Sequence, residues 1–258
     1  MSAPGPTHRF SGLPAIMLAL TAVLAIALVG MLGGELYARH RANTLVADAV
    51  QCEAQDSATV SFGTTPPVLA QYFNGEYSHI SVKTAGNQIR QAKGMQLDLD
   101  IRNVKLNKDK KDSDASASKG TIGSLDGTIT WPADGIKQSI QDVVPMIGSI
   151  VTGSVTADPG AGTVQLKGLL NKATVKPQLV NNGLSLQVVD LEALGHDLDT
   201  DTVQRRLDEL TAKVTNDLPL GIHLDSVQVT DSGVVVKFST QNAAIEQGSS
   251  SSQCFDSL

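Results

Sequence analysis

Apolar positions are concentrated first in Leu13 to Gly34, LPAIMLALTAVLAIALVGMLGG, a run without a charged side chain. A bilayer core of about 30 Å is crossed by roughly 20 apolar helical residues, so this run is long enough to span a membrane. A cleaved signal peptide is the alternative, but its apolar core of about 7 to 15 residues is shorter. No Ala-x-Ala motif lies between Val29 and Gly34. The pattern favours an uncleaved anchor over residues 13–34.

Helical spacing continues beyond this anchor. Apolar residues of Glu35 to Ala54 recur on one helical face, which predicts a helix that runs from the membrane into the next domain. A short second helix is predicted from Val68, because two prolines precede it and Asn74-Gly75 is a stop signal. It would present an apolar patch that either packs in the core or contacts the membrane: Val68, Leu69, Tyr72 and Phe73.

The pattern then changes to strict alternation, which is typical of half-exposed strands. Met95, Leu97, Leu99 and Ile101 alternate with polar residues. Val104 and Leu106 break the alternation, which predicts a bulge near Asn103. Residues 107–119, NKDKKDSDASASK, are charged and without large apolar side chains, so they are expected to form a solvated loop before the next strand at residues 121–131.

Turn signals divide the remaining alternating segments into hairpins. They are Asp158-Pro159-Gly160, Asn181-Asn182-Gly183 and Asp231-Ser232-Gly233. Two amphipathic helices are also predicted. The first covers residues 135–151 with Pro145 as a kink, and the second begins at a cap at Asp199 or Thr200. Their apolar stripes include Ile140, Val144 and Ile147 in the first, and Val203, Leu207, Leu210 and Val214 in the second.

Charge and cysteine usage narrow the class of protein. The formal net charge is −6, which does not suit a nucleic-acid-coating surface. Cys52 and Cys254 stand near opposite ends of the domain. In an oxidising compartment they would close a loop of about 200 residues, with an upper stabilisation of roughly 5 kcal/mol. Two unrelated thiols in a reducing cytosol are the alternative. The sequence has no Cys-x-x-Cys pair and no Cys/His spacing typical of zinc ligands, so it does not indicate a zinc site.

Catalytic motifs are missing from the sequence: there is no HExxH, GxSxG, P-loop or Rossmann fingerprint. Three Asp-x-Asp triplets could hold a divalent metal in a glycosyltransferase: Asp98/Asp100, Asp197/Asp199 and Asp199/Asp201. The first pair also fits the wet face of a strand, and the others fit a helix cap. We therefore expect no enzyme, no metal and no cofactor. The strands and aliphatic helices suit either a container for an apolar ligand or an ordinary α+β core.

Three long strings are similar to the actinobacterial lipomannan elongation factor family of phospholipid-binding envelope proteins. They are SVKTAGNQIRQAKGM (81–95), KGTIGSLDGTITWPADGIKQ (119–138) and PLGIHLDSVQVTDSGVVVKFST (219–240). The resemblance runs from about Tyr37 to Phe255 and includes both cysteines. It implies an α+β fold in which a curved antiparallel sheet wraps around a long helix, as in tubular, BPI-like lipid-binding domains.

The resemblance also implies a function: an exported protein that binds phosphatidylinositol or its mannosides and promotes mannan elongation in lipomannan and lipoarabinomannan synthesis. The expected organisation is a tail at residues 1–12, a transmembrane anchor at 13–34, and a periplasmic lipid-binding domain at 35–258. Membrane mannosyltransferases are expected partners. The alternatives are a scaffold for such an enzyme that holds no lipid, and a metal-dependent glycosyltransferase.

The aliphatic faces of the predicted strands and helices are assigned to one lipid groove. The residues are Leu97, Leu99, Ile140, Val144, Ile147, Leu184, Leu186, Val188, Val203, Leu207, Leu210 and Val214.

Overall fold

The structure is a computed structural model that describes residues 12–90, 92–107, 120–143, 153–169, 171–180, 183–193, 200, 201, 204, 205, 207, 208, 219–245 and 254. Its α-helices include α1 (Gly12–Ala54), α2 (Val68–Asn74) and α3 (Ala133–Val143), and Pro219–Gly221 form a 3-10 helix. Residues 200, 201, 204, 205, 207 and 208 are also helical. The strands are β1 (Ala58–Phe62), β2 (Glu76–Thr84), β3 (Gln88–Ile89), β4 (Ala92–Lys93), β5 (Gln96–Leu106), β6 (Gly120–Pro132), β7 (Ser154–Asp158), β8 (Thr163–Lys167), β9 (Asn171–Val180), β10 (Gly183–Ala193), β11 (His223–Thr230) and β12 (Gly233–Ile245). This confirms an α+β fold with antiparallel sheets.

The anchor and the helix expected after it form one continuous helix. α1 contains 43 residues, which at 1.5 Å per residue is about 64 Å long. The large apolar side chains described between Met17 and Leu32 are more than half exposed. Beyond them, Ala42, Val46 and Val50 pack against a core cluster formed by β1, α2 and β2. The helix therefore has an apolar, uncovered first half and a second half that belongs to the domain.

The larger sheet contains six strands in the order β1-β2-β5-β6-β12-β11, and all neighbours are antiparallel. The hairpin of β11 and β12 forms around residues 231–232, as the turn signal predicts. In the middle of the sheet, the Phe238 ring stands directly over Gly127, the residue that it faces on β6. A side chain at position 127 would overlap that ring, so only glycine fits there.

The irregularity expected near Asn103 is present, but it is not a bulge. Asn103 has a left-handed backbone with φ 53°, yet the pairing of β5 with β6 has the same register on both sides of it. In that register it faces Gly123, which in turn faces Asn242, a second left-handed residue with φ 51°. On β6, Leu125 is buried on one side of this row and Ile122 on the other. The two are three residues apart, so the alternation of buried and exposed positions shifts by one residue at the row. No strand needs an extra residue, because three adjacent strands share the same break.

The smaller sheet contains four strands in the order β10-β9-β8-β7. Two hairpins build it, β7–β8 and β9–β10, at the positions that the turn signals predict. β11 of the larger sheet contacts β7, β9 and β10, and α3 contacts both β6 and β7. The two sheets therefore meet along β11 and α3.

A disulfide joins Cys52, in the last turn of α1, to Cys254, and confirms the expected pair. The two Cα atoms are 5.6 Å apart, and 202 positions separate the residues in sequence. The bond therefore ties the C-terminal segment to the same helix that carries the apolar run.

Candidate functional site

The six-stranded sheet has one apolar and one polar face, and the apolar face continues across every strand. In the pairing registers, Val60 faces Val82, which faces Leu99, and Ile80 faces Ile101, which faces Leu125. The row continues through Val236 and Phe238 to Val227 and Leu224 on β11. At the β1 edge these side chains are buried under α1. Further across, Leu97, Leu99, Ile101, Ile129 and Leu224 are only half-buried.

The sequence predicts that Leu97 and Leu99 line a lipid groove, and both lie on this apolar face. Leu99 packs against both core clusters of the sheet, and Leu97 packs against the cluster that contains Phe238. A half-buried leucine leaves apolar surface in contact with water, which costs about 25 cal/mol per Å². A face with several such residues is therefore suited to an apolar ligand.

The opposite face of the sheet is polar and cannot take an acyl chain. It holds an open cleft of about 430 Å³ lined by four carboxylates and Lys237, among other residues. Asp100 contacts the His79 ring at 2.6 Å and Arg102 at 2.7 Å, and Asp98 pairs with Lys83 at 3.3 Å. The Asp98/Asp100 pair is therefore neutralised by neighbouring basic side chains.

Among the residues that the structure describes, no group of three or more His, Cys, Asp or Glu side chains could hold a metal ion. Asp197 and Asp199 lie outside the described residues. Asp201 is exposed on a helical segment.

The four-stranded sheet carries a second aliphatic face. Leu184, Leu186 and Val188 face Leu179, Pro177 and Val175 across β9 and β10. Val175 and Pro177 are buried, whereas the three β10 residues are half-buried. The groove residues predicted from the sequence thus occupy two different sheets, with Leu97 and Leu99 on one and the β10 residues on the other.

A helical segment is attached to the free edge of β10 by Gln204. Its amide oxygen accepts the backbone N–H of Val188 at 2.8 Å, and its amide nitrogen donates to the carbonyl of Leu186 at 3.0 Å. Gln204 also donates to Asp208 at 2.9 Å. Residue 207, the one groove residue described in this helix, is half-buried. The helix therefore lies at the edge of the second aliphatic face.

Of the other predicted groove residues, Ile140 is half-buried on α3, which contacts both sheets. Val144 and Ile147 lie outside the described residues, as do Val203, Leu210 and Val214. Their assignment to the groove stays a prediction.

The end of the apolar run is joined to the domain by Glu35. Its two carboxylate oxygens accept the backbone N–H groups of Val68 at 2.8 Å and Leu69 at 2.9 Å. Arg39, one turn later, pairs with Glu35 at 3.1 Å and donates to the carbonyl of Phe62 at 2.8 Å. α1, α2 and β1 are thus fixed to one another at the residue where the uncharged run ends.

The other end of α1 is held by Asp56, which is buried. Its carboxylate accepts the backbone N–H groups of Ser57, Gly86 and Asn87 and the side-chain amide of Asn87, at 2.8 to 3.0 Å. Burial raises the pKa of this carboxyl, but the hydrogen bonds from Asn87 and the other donors outweigh it, so the pKa lies below its usual value. An open cleft of about 460 Å³ beside it is lined entirely by polar residues, Gln51 and Gln55 among them.

Sequence patterns did not indicate Glu35 or Gln204. Each contacts a backbone that is distant along the chain, and such contacts leave no local spacing signal. A charged residue directly after an uncharged run was the one available sign for Glu35.

Comparison with known proteins identifies a family and related chains. The family described as LmeA-like phospholipid-binding matches residues 29–239. Uncharacterized proteins of Mycobacterium bovis and of two strains of Mycobacterium tuberculosis are 51% identical over 233 residues. The match covers 90% of this chain and 65% of each relative, so the chain spans about two thirds of their length. No solved structure matches.

Proposed function

The chain belongs to the LmeA-like phospholipid-binding family, and we propose that it is an exported, membrane-anchored protein that holds a phosphatidylinositol-type phospholipid. In this proposal its role is to promote mannan chain elongation during lipomannan and lipoarabinomannan synthesis. Its family consists of binding proteins and is not a known enzyme family, and the proposed role is accordingly presentation or transfer of lipid.

The observation that carries the proposal is the half-buried aliphatic face of the six-stranded sheet. The central strand β5 contains 11 residues, which at about 3.3 Å each extend over roughly 36 Å. A bilayer core of two leaflets measures about 30 Å. The face is therefore longer than one acyl chain in a leaflet, and its polar reverse side leaves one face for the lipid.

We assign the groove to the aliphatic residues of both sheets and of the helices beside them. Leu97 and Leu99 would form its floor on the larger sheet, and Leu184, Leu186 and Val188 would extend it on the smaller one. Ile140 and Leu207 would join the two through α3 and the helix held by Gln204. Val144, Ile147, Val203, Leu210 and Val214 complete the proposed lining. In this arrangement the sheets curve around the lipid, as in the tubular, BPI-like domains.

Energetics make the headgroup decisive for selectivity. Burial of about 30 acyl methylenes is worth roughly 24 kcal/mol at about 0.8 kcal/mol each. The bilayer already provides the lipid with this stabilisation, so binding exchanges one apolar environment for another. A groove of half-buried leucines needs only to match the membrane. Polar contacts to the headgroup then determine which phospholipid is retained.

Localisation follows from α1 in this proposal. Among the described residues, one helix, within Leu20–Ala54, is long and apolar enough to cross a membrane, although a signal sequence meets the same criterion. We propose that residues 13–34 span the membrane once and that residues 35–258 form the periplasmic lipid-binding domain. The disulfide between Cys52 and Cys254 supports an oxidising compartment.

The experiment that tests this function is lipid extraction of the full chain, purified from an actinobacterial host without reductant. We expect bound phosphatidylinositol or its mannosides. A folded, lipid-free chain that co-purifies with a mannosyltransferase would instead favour the scaffold. We also expect Asp98→Asn and Asp199→Asn variants to support mannan elongation at the wild-type level. Loss of elongation in either variant would favour a metal-dependent glycosyltransferase.

A further inference from the structure

The short helix α2 divides its side chains between the core and the surface. Val68 and Gln71 are 1% and 0% exposed, whereas Tyr72 and Phe73 are 61% and 70% exposed. The Gln71 amide donates to the carbonyls of Gly63 and Pro66, at 3.0 and 2.6 Å. These bonds fix the buried side of the helix to the segment that precedes it. The two adjacent rings are consequently held outward on a rigid support.

These rings stand close to the end of the apolar run. Glu35 accepts two N–H groups from the first turn of α2, and the Leu69 side chain packs beside Gly34, the last residue of the run. On α1 itself, Leu36 and Tyr37 are 67% and 73% exposed. Leu36 and Tyr37 are therefore exposed within one helical turn of the proposed membrane exit, and Tyr72 and Phe73 are exposed on the helix whose first turn Glu35 holds.

Tyrosine and other amphipathic aromatic residues are enriched where a membrane protein crosses the lipid–water interface. The whole chain contains only three tyrosines, one tryptophan and five phenylalanines. Two of the three tyrosines, together with Phe73, are exposed on α2 and on the part of α1 directly after the apolar run. An exposed aromatic patch that continues a membrane-spanning helix fits a lipid surface better than a second protein.

We infer that α2 seats the domain on the bilayer, with Tyr72 and Phe73 in the interfacial layer beside Tyr37. This inference rests on the proposed membrane anchor and deepens the proposed function, because it fixes the end of the domain that lipid must enter. The β1–β2 end of the larger sheet is fixed to α2 and would face the membrane. Asp56 and the disulfide, at the opposite end of the domain part of α1, would face away from it.

The test places a tryptophan at the proposed interface in the full chain. Phe73→Trp is reconstituted in vesicles of phosphatidylglycerol and phosphatidylcholine, with bromine near the carbonyl end of the acyl chains as a quencher. The emission of native Trp131, whose indole donates to the Lys93 carbonyl, is subtracted by use of the unchanged chain. Gln187→Trp, at an exposed position on the polar side of β10, is the matched control.

The inference predicts a blue-shifted emission for Phe73→Trp that is mostly lost in brominated vesicles, and an unquenched emission for Gln187→Trp. Tyr72→Trp is expected to behave as Phe73→Trp does. A water-like, unquenched emission from both α2 variants would overturn it. A blue shift that grows with protein-to-lipid ratio and resists bromine would assign the patch to a second copy of the chain, and would also overturn it.

Phosphatidylinositol-type lipid, which these vesicles lack, is extracted from the same purified variants before reconstitution, and its amount separates this inference from the proposed function. Bound lipid without quenching at α2 would refute the seating alone. Quenching at α2 in a chain that retains no lipid would support the seating and refute the proposed lipid binding.

Discussion

The Glu35 carboxylate accepts the backbone N–H of Leu69 at 2.9 Å, across 34 positions of sequence. This bond, with its neighbour from Val68, connects the start of the domain part of α1 to the first turn of α2. The uncharged run of α1 is therefore not joined to the domain by a loose linker. The orientation of the proposed membrane segment therefore sets the orientation of the adjoining edge of the six-stranded sheet.

Replacement of Glu35 should therefore destabilise the domain. Hydrogen bonds to a charged group contribute about 1.5 to 3 kcal/mol each, and Glu35 is partly exposed, so we expect Glu35→Ala to cost about 2 kcal/mol. Thermal unfolding of the full chain in detergent micelles, followed by circular dichroism, measures it. Glu76→Ala is the control, because Glu76 makes one exposed ion pair with Lys105 at 3.0 Å. Equal losses in the two variants would contradict the assigned role of Glu35.

The disulfide should contribute to stability mainly by restricting the unfolded chain. For a separation of 202 positions, chain-entropy arithmetic gives roughly 5 kcal/mol as an upper limit. We expect a Cys52→Ser, Cys254→Ser double variant to unfold at a lower temperature than the oxidised native chain. Reductant should lower the unfolding temperature of the native chain to that of the double variant. It should leave the unfolding temperature of the double variant unchanged. A reductant effect on the double variant would show that another cause is responsible.

Asp56 should make the domain sensitive to acid. Because its folded-state pKa lies below the unfolded value of about 3.8, its stabilisation is complete above that value. It is lost as the pH falls further, through the folded pKa. Asp56→Asn should therefore be less stable than the native chain at neutral pH, with a difference that narrows below about pH 4.

The measurement is the free energy of unfolding of each chain at several pH values. Asp98→Asn is the control, since its exposed pair with Lys83 is worth under about 1 kcal/mol. A difference between native and Asp56→Asn that stays constant down to acid pH would contradict the role given to the Asp56 hydrogen bonds.

A charge in the proposed groove should displace lipid. Leu186 lies on the aliphatic face of β10, and Gln187, the next residue, is exposed on the other face. We expect Leu186→Asp to lower the amount of bound phospholipid at least about tenfold, which needs only about 1.4 kcal/mol. Gln187→Asp should keep the native amount. Equal lipid content in two folded variants would remove β10 from the groove.

Local sequence signals predict where a helix or strand begins and ends more reliably than they predict which other elements it packs against. The bounds of α2 follow from Pro67 before it and Asn74-Gly75 at its end, and the structure has Gly75 in the left-handed conformation with φ 70°. These signals act within a few residues, where backbone chemistry decides. The contact of Glu35 with Leu69 depends on how distant segments pack, and it could not be predicted from spacing.

The same limit applies to the sheets. Alternation identified the aliphatic side of β5 and of β10, but it could not indicate that Leu99 and Leu186 belong to different sheets, because strand pairing is not a local property. The break at Asn103 was visible as a shift in alternation. Its alignment with Gly123 and Asn242 required the pairing registers, and those are set by the whole sheet.

Native mass spectrometry of the full chain measures the phospholipid that we propose this domain holds. The chain is purified from an actinobacterial host without reductant and released from nanodiscs in the spectrometer, while its lipids are extracted in parallel. We predict one phosphatidylinositol-type lipid per chain, with Leu186→Asp lipid-free and Gln187→Asp loaded. A folded native chain with an intact disulfide and no retained phospholipid would show that this domain is not a phospholipid-binding domain.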